Sequence, residues 1–233
     1  MKILFAASEA APYIKTGGLG DVAGALPAEL SKIRGNEVCI FLPYYKKIKE
    51  NPNFNIEYVT DFYMPLSWRS VYAGVFKATV KNTGVGKNKR NDLIYYFIDN
   101  EYYFGRDGLY GYPDDGERFA YFSKAVLAAI KFLDLSPDVI HCNDWQTALV
   151  PLLLKTEYAG ALPNARSVLT IHNIEYQGKC NLQFNYDVLG LPPQCDEILR
   201  FDDCTNFLKA GLVTADRVNT VSRPSAEELH YDN

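Results

Sequence analysis

A lysine and three glycines near the N-terminus have the types and the spacing of a phosphate-binding loop. Lys15 is followed by Gly17, Gly18 and Gly20, and glycines let the backbone approach a ligand closely. A predicted strand at 2–8 precedes this loop, and apolar residues at helical spacing predict a helix over 18–33. The first N–H groups of a helix are unpaired and its dipole is positive there, which favours anions. The segment therefore predicts a site for a phosphate-bearing ligand.

The same glycines also fit a dinucleotide-binding fingerprint, Gly18-x-Gly20-x-x-Ala23. In that fold the first glycine closes a tight turn directly after the strand, whereas a longer loop intervenes in this chain. The strand expected over 37–42 also ends without an acidic residue. We therefore interpret the segment as a phosphate-contacting loop of another kind.

Composition narrows the class of protein. The chain has 233 residues, 48% of them hydrophobic and 22% charged, which is ordinary for a globular protein. A net charge of −4 argues against a nucleic-acid binder held by phosphate contacts. Five scattered cysteines without C-x-x-C spacing indicate a reducing compartment, so we expect a cytoplasmic protein. We see neither a leader peptide nor an apolar run long enough for a membrane helix.

Strands and helices alternate along the chain, which predicts an α/β fold with a mostly parallel sheet and helices on both faces. Between about 54 and 99 the residues are rich in Val, Ile, Tyr and Phe, which indicates a β-rich insertion. Within it, 82–91 is typical of a hairpin tip. Besides 2–8 and 37–42, strands are expected at 139–142, 167–171 and 217–221, and besides 18–33, helices at 119–133, 145–158, 201–212 and from 226.

Polar residues follow several of the predicted strands. Lys15 follows the first strand, the segment 143–146 follows a later one, and His172, Asn173 and Ser222 follow the last two. In a parallel sheet these carboxyl ends meet at one edge, which is where ligands bind. The strand order therefore predicts that these side chains converge on one cleft.

Some of these residues have more than one interpretation. Asp144 precedes a predicted helix, so its position favours an N-cap, but it could also accept hydrogen bonds from sugar hydroxyls. His172 follows a buried strand and could belong to the core, although the polar segment after it favours a cleft. Trp145 and Tyr110 could be core aromatics, and their polar, glycine-rich surroundings make a stacking surface an alternative.

Other chemistries are not indicated. The sequence has no Gly-x-Ser-x-Gly elbow, no P-loop, and no Cys or carboxylate at zinc-ligand spacing from its three histidines. Asp114, Asp115 and Glu117 precede a helix, and we interpret them as carboxylates that stabilise the helix N-terminus.

Short motifs are spread along nearly the whole chain: 15–22 (KTGGLGDV), 108–111 (GLYG), 117–123 (ERFAYFS), 137–146 (PDVIHCNDWQ), 170–178 (TIHNIEYQG), 207–212 (FLKAGL) and 220–222 (TVS). In this order they resemble the motifs of the bacterial glycogen synthase and plant starch synthase family. One departure is Gln146, where that family usually has His or Arg.

The resemblance implies an enzyme that transfers glucose from ADP-glucose to the non-reducing end of an α-1,4-glucan, such as glycogen, with retention of configuration. It also implies a GT-B fold, which has two Rossmann-like domains with the active site between them. Residues 1–233 would be the N-terminal domain, with the β-rich insertion at 54–99. The C-terminal nucleotide-binding domain would be absent, so we expect little or no activity from this chain alone.

For the donor, the resemblance implies that Lys15 neutralises phosphate charge. Gly17 and Gly18 would bring backbone N–H groups near the phosphates or the transferred sugar, and Asp21 would contact or support the substrate. No metal and no cofactor are expected, because the lysine supplies the positive charge.

For the sugar, the resemblance implies that Asp144 and His172 hold hydroxyls of the transferred glucose, with His172 near the reacting carbon. Tyr110 and Trp145 would shape the sugar and acceptor subsites, and Asn173 would contact or support the substrate. Two alternatives stay open: a glucan-binding module without chemistry, and a related transferase that uses UDP-glucose. A glucan binder has no use for a phosphate-facing lysine, so Lys15 discriminates between binding and transfer.

Overall fold

The structure is a computed structural model that describes residues 1–82 and 90–221. Ser222 and the helix expected from 226 lie outside the described residues, as does most of the predicted hairpin tip at 82–91. No helix in the described part is both long enough and apolar enough to cross a bilayer.

Within the described residues, eight strands form one sheet in the order β11-β7-β6-β1-β2-β5-β4-β3. The strands from β11 to β5 run parallel, and β4 and β3 are antiparallel to their neighbours. The prediction of a mostly parallel α/β sheet is therefore confirmed. Their bounds are β1 Lys2–Ala6, β2 Glu37–Pro43, β3 Glu57–Leu66, β4 Arg69–Val80, β5 Leu93–Asp99, β6 Val139–Asn143, β7 Arg166–Ile171 and β11 Arg217–Thr220.

The β-rich region at 54–99 continues the central sheet. β5 pairs with β2 in parallel, with Phe41 opposite Tyr96, and β4 then pairs with β5 in the antiparallel direction. Phe97 and Ile98 on β5 are both fully buried, so the strand is covered on both faces as parallel-sheet strands are. The region therefore lengthens the sheet on the side of β2.

Helices cover the sheet. In α1 the buried residues Leu19, Ala23 and Pro27 recur every four positions, which places one stripe of the helix against the strands. α4 is buried along most of its length and forms the centre of the core with the strands. The helices are α1 Gly18–Ser31, α2 Lys46–Lys49, α3 Glu101–Phe104, α4 Asp115–Phe132, α5 Leu149–Lys155, α6 Asp196–Leu199 and α7 Phe207–Thr214, with 3₁₀ turns at Trp145–Thr147 and Pro193–Cys195 and a π-helical turn at Asn185–Leu189.

The helix predicted over 201–212 is wrong in its first part. Residues 200–206 form two short strands, β9 Arg200–Phe201 and β10 Cys204–Asn206, which join β8 Lys179–Cys180 in a small antiparallel sheet. α7 begins only at Phe207, because the Asn206 side chain accepts a hydrogen bond from the Lys209 N–H at 2.9 Å and caps the helix there.

Candidate functional site

A cleft of about 870 Å³ opens at the carboxyl ends of the parallel strands, within the size range of small-molecule sites. The loops after β1, β6 and β7 all contribute to it, so the predicted convergence is found for the segment 144–146 and for His172 and Asn173, whereas Lys15 is not among the lining residues. Ser222 lies outside the described residues. The lining residues are Glu9, Thr16, Gly17, Gly18, Leu19, Val22, Tyr110, Gly111, Asp115, Asp144, Trp145, Gln146, His172, Asn173, Tyr176 and Val221.

The glycines of the first loop serve two different purposes. A Cβ atom at Gly20 would lie 2.5 Å from the Lys15 Cβ, and one at Gly24 would lie 2.6 Å from the Ala11 carbonyl oxygen. These two positions are therefore glycine because the loop packs against α1. At Gly17 and Gly18 a Cβ would meet nothing within 4 Å, and both residues line the cleft. Their bare backbone faces space that a ligand can occupy.

Glu9 holds the glycine loop from beneath, and the sequence analysis did not select it. Its side chain is almost fully buried, and its carboxylate accepts hydrogen bonds from the Thr16 backbone N–H and from the Thr16 hydroxyl at 3.0 Å. The signal was available, because Glu9 is the one charged residue in the stretch of small residues between β1 and Pro12. Such a residue needs a buried hydrogen-bond donor.

Lys15 and Asp21 form an ion pair of 2.6 Å at the surface, and neither is among the residues that line the cleft. Their side chains are 52% and 61% exposed, so the pair contributes at most about 1 kcal/mol to stability. Lys15 precedes Thr16 in the cleft wall, and its ammonium group is exposed to solvent. A phosphate oxygen can therefore replace Asp21 as its partner at little cost.

Asp144 does not cap the helix after β6, so that interpretation is wrong. Its backbone lies at φ 56°, and its carboxylate turns to the loop after β7, where it accepts hydrogen bonds from the N–H groups of His172 at 2.6 Å and Asn173 at 3.2 Å. Thr147 instead closes the helical turn, accepting from the Asn143 N–H at 2.6 Å. Asp144 therefore ties the β6 and β7 loops together at the cleft.

His172 lines the cleft, as the polar segment after it predicted. Its Nε2 lies 3.0 Å from the Asn143 Oδ1. The amide Nδ2 of Asn143 donates to the Ala6 carbonyl at 3.1 Å, so the Oδ1 atom must accept and the Nε2 atom must carry the proton. Nδ1 is then the acceptor of the neutral ring.

Burial shifts the pKa values of His172 and Asp144 in opposite directions. Burial lowers the pKa of His172 from its usual value, against the opposing field of Asp144. Burial raises the pKa of Asp144, and the hydrogen bonds from the His172 and Asn173 backbone offset part of that rise. A neutral imidazole beside a carboxylate suits hydrogen bonding to hydroxyls.

Tyr110 and Trp145 belong both to the core and to the cleft wall, so their position is compatible with either interpretation, and a stacking surface stays a prediction. The Tyr110 hydroxyl lies 2.7 Å from the Ser8 Oγ, and burial holds its pKa well above the usual value, so it stays neutral. The Trp145 ring packs edge-on against Phe119, with centroids 5.3 Å apart. Both residues still line the cleft.

The three carboxylates near the start of α4 are ion-pair partners as well as helix-end charges. All three lie at or inside the first turn, and α4 begins earlier than the predicted residue 119. Asp114 pairs with Arg106, Asp115 with Arg118 and Glu117 with Arg69, at 2.6, 2.7 and 2.7 Å. Across the described ranges, no three His, Cys, Asp or Glu residues are grouped as metal ligands would be.

His141 is a structural histidine behind the cleft. Its Nε2 lies 2.6 Å from the Thr170 hydroxyl, its ring packs on Phe5 with centroids 4.5 Å apart, and burial lowers its pKa from 6.5 to about 4. The folded protein therefore keeps it neutral at a pH where the unfolded chain protonates it.

We expect the free energy of unfolding to fall as the pH drops from 6.5 towards 4. Above 6.5 His141 is neutral in both states, and below it only the unfolded chain gains the proton. The loss due to this group is up to about 3 kcal/mol. Urea unfolding of the unsubstituted chain and of His141→Gln at pH 7 and pH 5 measures it. An equal pH dependence in both proteins would contradict the assignment.

Comparison with known proteins gives a consistent result. The family model described as "Starch synthase catalytic domain" matches residues 2–233. The glycogen synthase of Bacillus subtilis is 45% identical over 235 residues, covering 98% of this chain and 46% of that protein. That of Clostridium acetobutylicum is 46% identical over 238 residues, covering 98% of this chain and 47% of that protein. The chain spans about half the length of the curated relatives it matches.

A solved structure agrees with these matches. It is the catalytic domain of Starch Synthase IV from Arabidopsis thaliana bound to ADP and acarbose, with a TM-score of 0.82 and 29% sequence identity. The superposition covers 99% of this chain and 46% of that one.

Proposed function

The chain belongs to the starch synthase catalytic domain family, and on that premise we propose that it forms the N-terminal, acceptor-side half of a glycogen synthase. The whole enzyme would transfer glucose from ADP-glucose to the non-reducing end of an α-1,4-glucan, with retention of configuration. A C-terminal domain would bind most of the nucleotide and complete the active site. We also place the protein in the cytoplasm, because its five cysteines form no disulfide.

The observation that carries this proposal is the arrangement across the cleft. The bare backbone of Gly17 and Gly18 at the start of α1 lies on one wall, and His172 and Asp144 lie on another. The first wall suits a diphosphate and the second suits sugar hydroxyls. The Arabidopsis domain is described as bound to ADP and acarbose, which supports a nucleoside diphosphate as the leaving group.

In the proposed reaction, the hydroxyl oxygen at the non-reducing end of the glucan forms a bond to the anomeric carbon of the glucose while the bond from that carbon to the diphosphate oxygen breaks. Negative charge develops on the leaving phosphate, which takes up the hydroxyl proton as the nucleoside diphosphate departs. Lys15 and the N–H groups of Gly17 and Gly18 stabilise that charge, and such fixed donors are a large term in catalysis. The Nδ1 of His172 accepts a hydrogen bond from a glucose hydroxyl, and Asp144 holds a second hydroxyl. Asp21 and Asn173 support these groups, and Tyr110 and Trp145 shape the sugar and acceptor subsites.

The experiment that tests the proposal is glucose transfer from labelled ADP-glucose to glycogen. The chain should be assayed alone and joined to the C-terminal half of the Bacillus subtilis glycogen synthase, with UDP-glucose as the competing donor. We expect little or no transfer from the chain alone and transfer from ADP-glucose by the joined protein. Glucan binding without transfer by a folded, joined protein would favour the binding-module alternative. Faster transfer from UDP-glucose than from ADP-glucose would mean that UDP-glucose is the donor.

Alanine at Gly17 or Gly18 should weaken ADP-glucose binding about tenfold or more while lowering stability by at most about 1 kcal/mol, because Gly17 is the N-cap of α1. A Cβ there meets no protein atom, so only the ligand loses space, and replacing glycine with alanine restricts the unfolded chain. Calorimetric titration and thermal unfolding of the joined protein measure the two effects. Gly160→Ala is the matched control, because a Cβ at Gly160 also meets nothing within 4 Å but lies away from the cleft. Unchanged affinity in both loop variants would contradict the assignment.

We further propose that transfer requires no metal and no cofactor, because Lys15 supplies the positive charge that a divalent cation provides in other enzymes. Adding a chelator to the assay should therefore leave the transfer rate unchanged. A rate that falls with chelator and recovers with Mg²⁺ would reject this part of the proposal.

A further inference from the structure

Arg118 is a fully buried arginine whose ion-pair partner, Asp115, lines the cleft. Its Nε donates to the Tyr103 carbonyl at 2.8 Å, and its Nη1 donates to the Leu109 carbonyl at 2.8 Å and to the Asp115 Oδ1 at 2.7 Å. Its Nη2 is buried and has no hydrogen-bond partner among the described residues. Burying a guanidinium costs free energy. We therefore expect the hydrogen bonds of Arg118 to have a role in holding the surrounding backbone.

Asp115 extends the same set of bonds into the loop between α3 and α4. Its Oδ2 accepts a hydrogen bond from the Gly111 N–H at 2.7 Å, and Gly111 lies at φ +92°, a backbone region that favours glycine. Arg118 therefore fixes the residue before Tyr110, and Asp115 fixes the residue after it. The Ser8 Oγ, at 2.7 Å, holds the Tyr110 hydroxyl itself.

We propose that Asp115 and Arg118 are positioning residues, which act as one clamp that sets the place of Tyr110 in the cleft and thereby the affinity for sugar. The loop from 105 to 114 has no regular secondary structure, so side-chain bonds of this kind decide where Tyr110 lies. The choice of sugar as ligand rests on the proposed function, whereas the clamp itself rests on the hydrogen bonds alone.

A direct test of the clamp uses no ligand. Asp115→Asn should accelerate hydrogen exchange at the Gly111 amide about tenfold, because a bond to a carboxylate becomes a weaker bond to an amide. Asp114→Asn is the matched control, because Asp114 pairs with Arg106 and bonds neither Leu109 nor Gly111. If Asp115→Asn does not fold, Asp115→Glu keeps the charge beside Arg118 and moves the carboxylate away from Gly111. Unchanged exchange at Gly111 in a folded variant would overturn the clamp.

A second test separates positioning from direct contact with sugar. In a Trp68→Phe background, Trp145 is the remaining tryptophan of the two, and its fluorescence reports binding of the probes maltotetraose and ADP-glucose. Asp115→Asn should weaken binding several-fold with Tyr110 present and have no further effect in Tyr110→Ala. An equal loss in both backgrounds would mean that Asp115 contacts the sugar itself and would overturn the proposal. If the unsubstituted chain and the joined protein bind neither probe while exchange at Gly111 still responds, the clamp is supported and the proposed function fails.

Discussion

Replacing Lys15 with alanine should lower glucose transfer by the joined, two-domain protein by about 10²- to 10³-fold, the usual cost of losing one group that stabilises developing charge. Stability should change by at most about 1 kcal/mol, because the ion pair of Lys15 with Asp21 is exposed. The measurement is kcat and KM with labelled ADP-glucose, together with urea unfolding.

Lys32→Ala is the matched control for this variant. Lys32 also forms an exposed ion pair, with Glu29, and its side-chain exposure of 46% is close to the 52% of Lys15. Lys32 belongs to the other end of α1, so its loss should leave transfer unchanged. Equal transfer activity of the Lys15 and Lys32 variants would show that Lys15 is not part of the donor site.

His172→Ala should lower kcat/KM for ADP-glucose by about 10²-fold. The variant loses the Nδ1 acceptor for a glucose hydroxyl, and an unmet hydrogen bond in a desolvated site costs about 1–3 kcal/mol. The lost bond to Asn143, 3.0 Å in length, should lower the free energy of unfolding by about 1 kcal/mol. Steady-state kinetics of the joined protein gives the first quantity, and urea unfolding gives the second.

His141→Phe provides the contrast, because this histidine lies behind the cleft on the neighbouring strand. Phenylalanine keeps an aromatic ring on Phe5 but loses the bond to Thr170. We expect lower stability and unchanged kcat/KM for each folded molecule. If His141→Phe lost as much kcat/KM as His172→Ala, the loss in both variants would be due to altered packing rather than to a lost ligand contact.

The sequence alone predicted the mostly parallel sheet and the edge of the sheet at which the cleft lies. Strand and helix signals are local, and the rule that parallel strands end at one edge then brings the loops that carry Asp144 and His172 together, whereas the side chain of Lys15 is exposed outside the lining of the cleft. The start of α7 was missed because the polar residues 202–206, with a turn at Asp202 whose φ is 52°, were read together with the apolar helix that follows them. Only the cap at Asn206 marks the true start.

The role of Asp144 could not be derived from its position, because N-cap residues and loop-tying residues look alike before a helix. Its choice of partner depends on a backbone at φ 56° and on the N–H groups of a loop 28 residues further on. The same holds for Arg118, whose burial depends on the loop that folds over it. Long-range polar contacts of this kind have no signal in sequence spacing.

The strand order of the sheet bears on how the chain folds while it is being synthesised. The first five strands to leave the ribosome, β1 to β5, are contiguous in space and can pair before the rest exists. β6, β7 and β11 then join the other side of β1 in the order of their synthesis. Until β6 arrives, β1 has an open edge that another chain can pair with. We therefore expect the interval between residues 99 and 139 to be the stage at which the nascent chain most needs a chaperone.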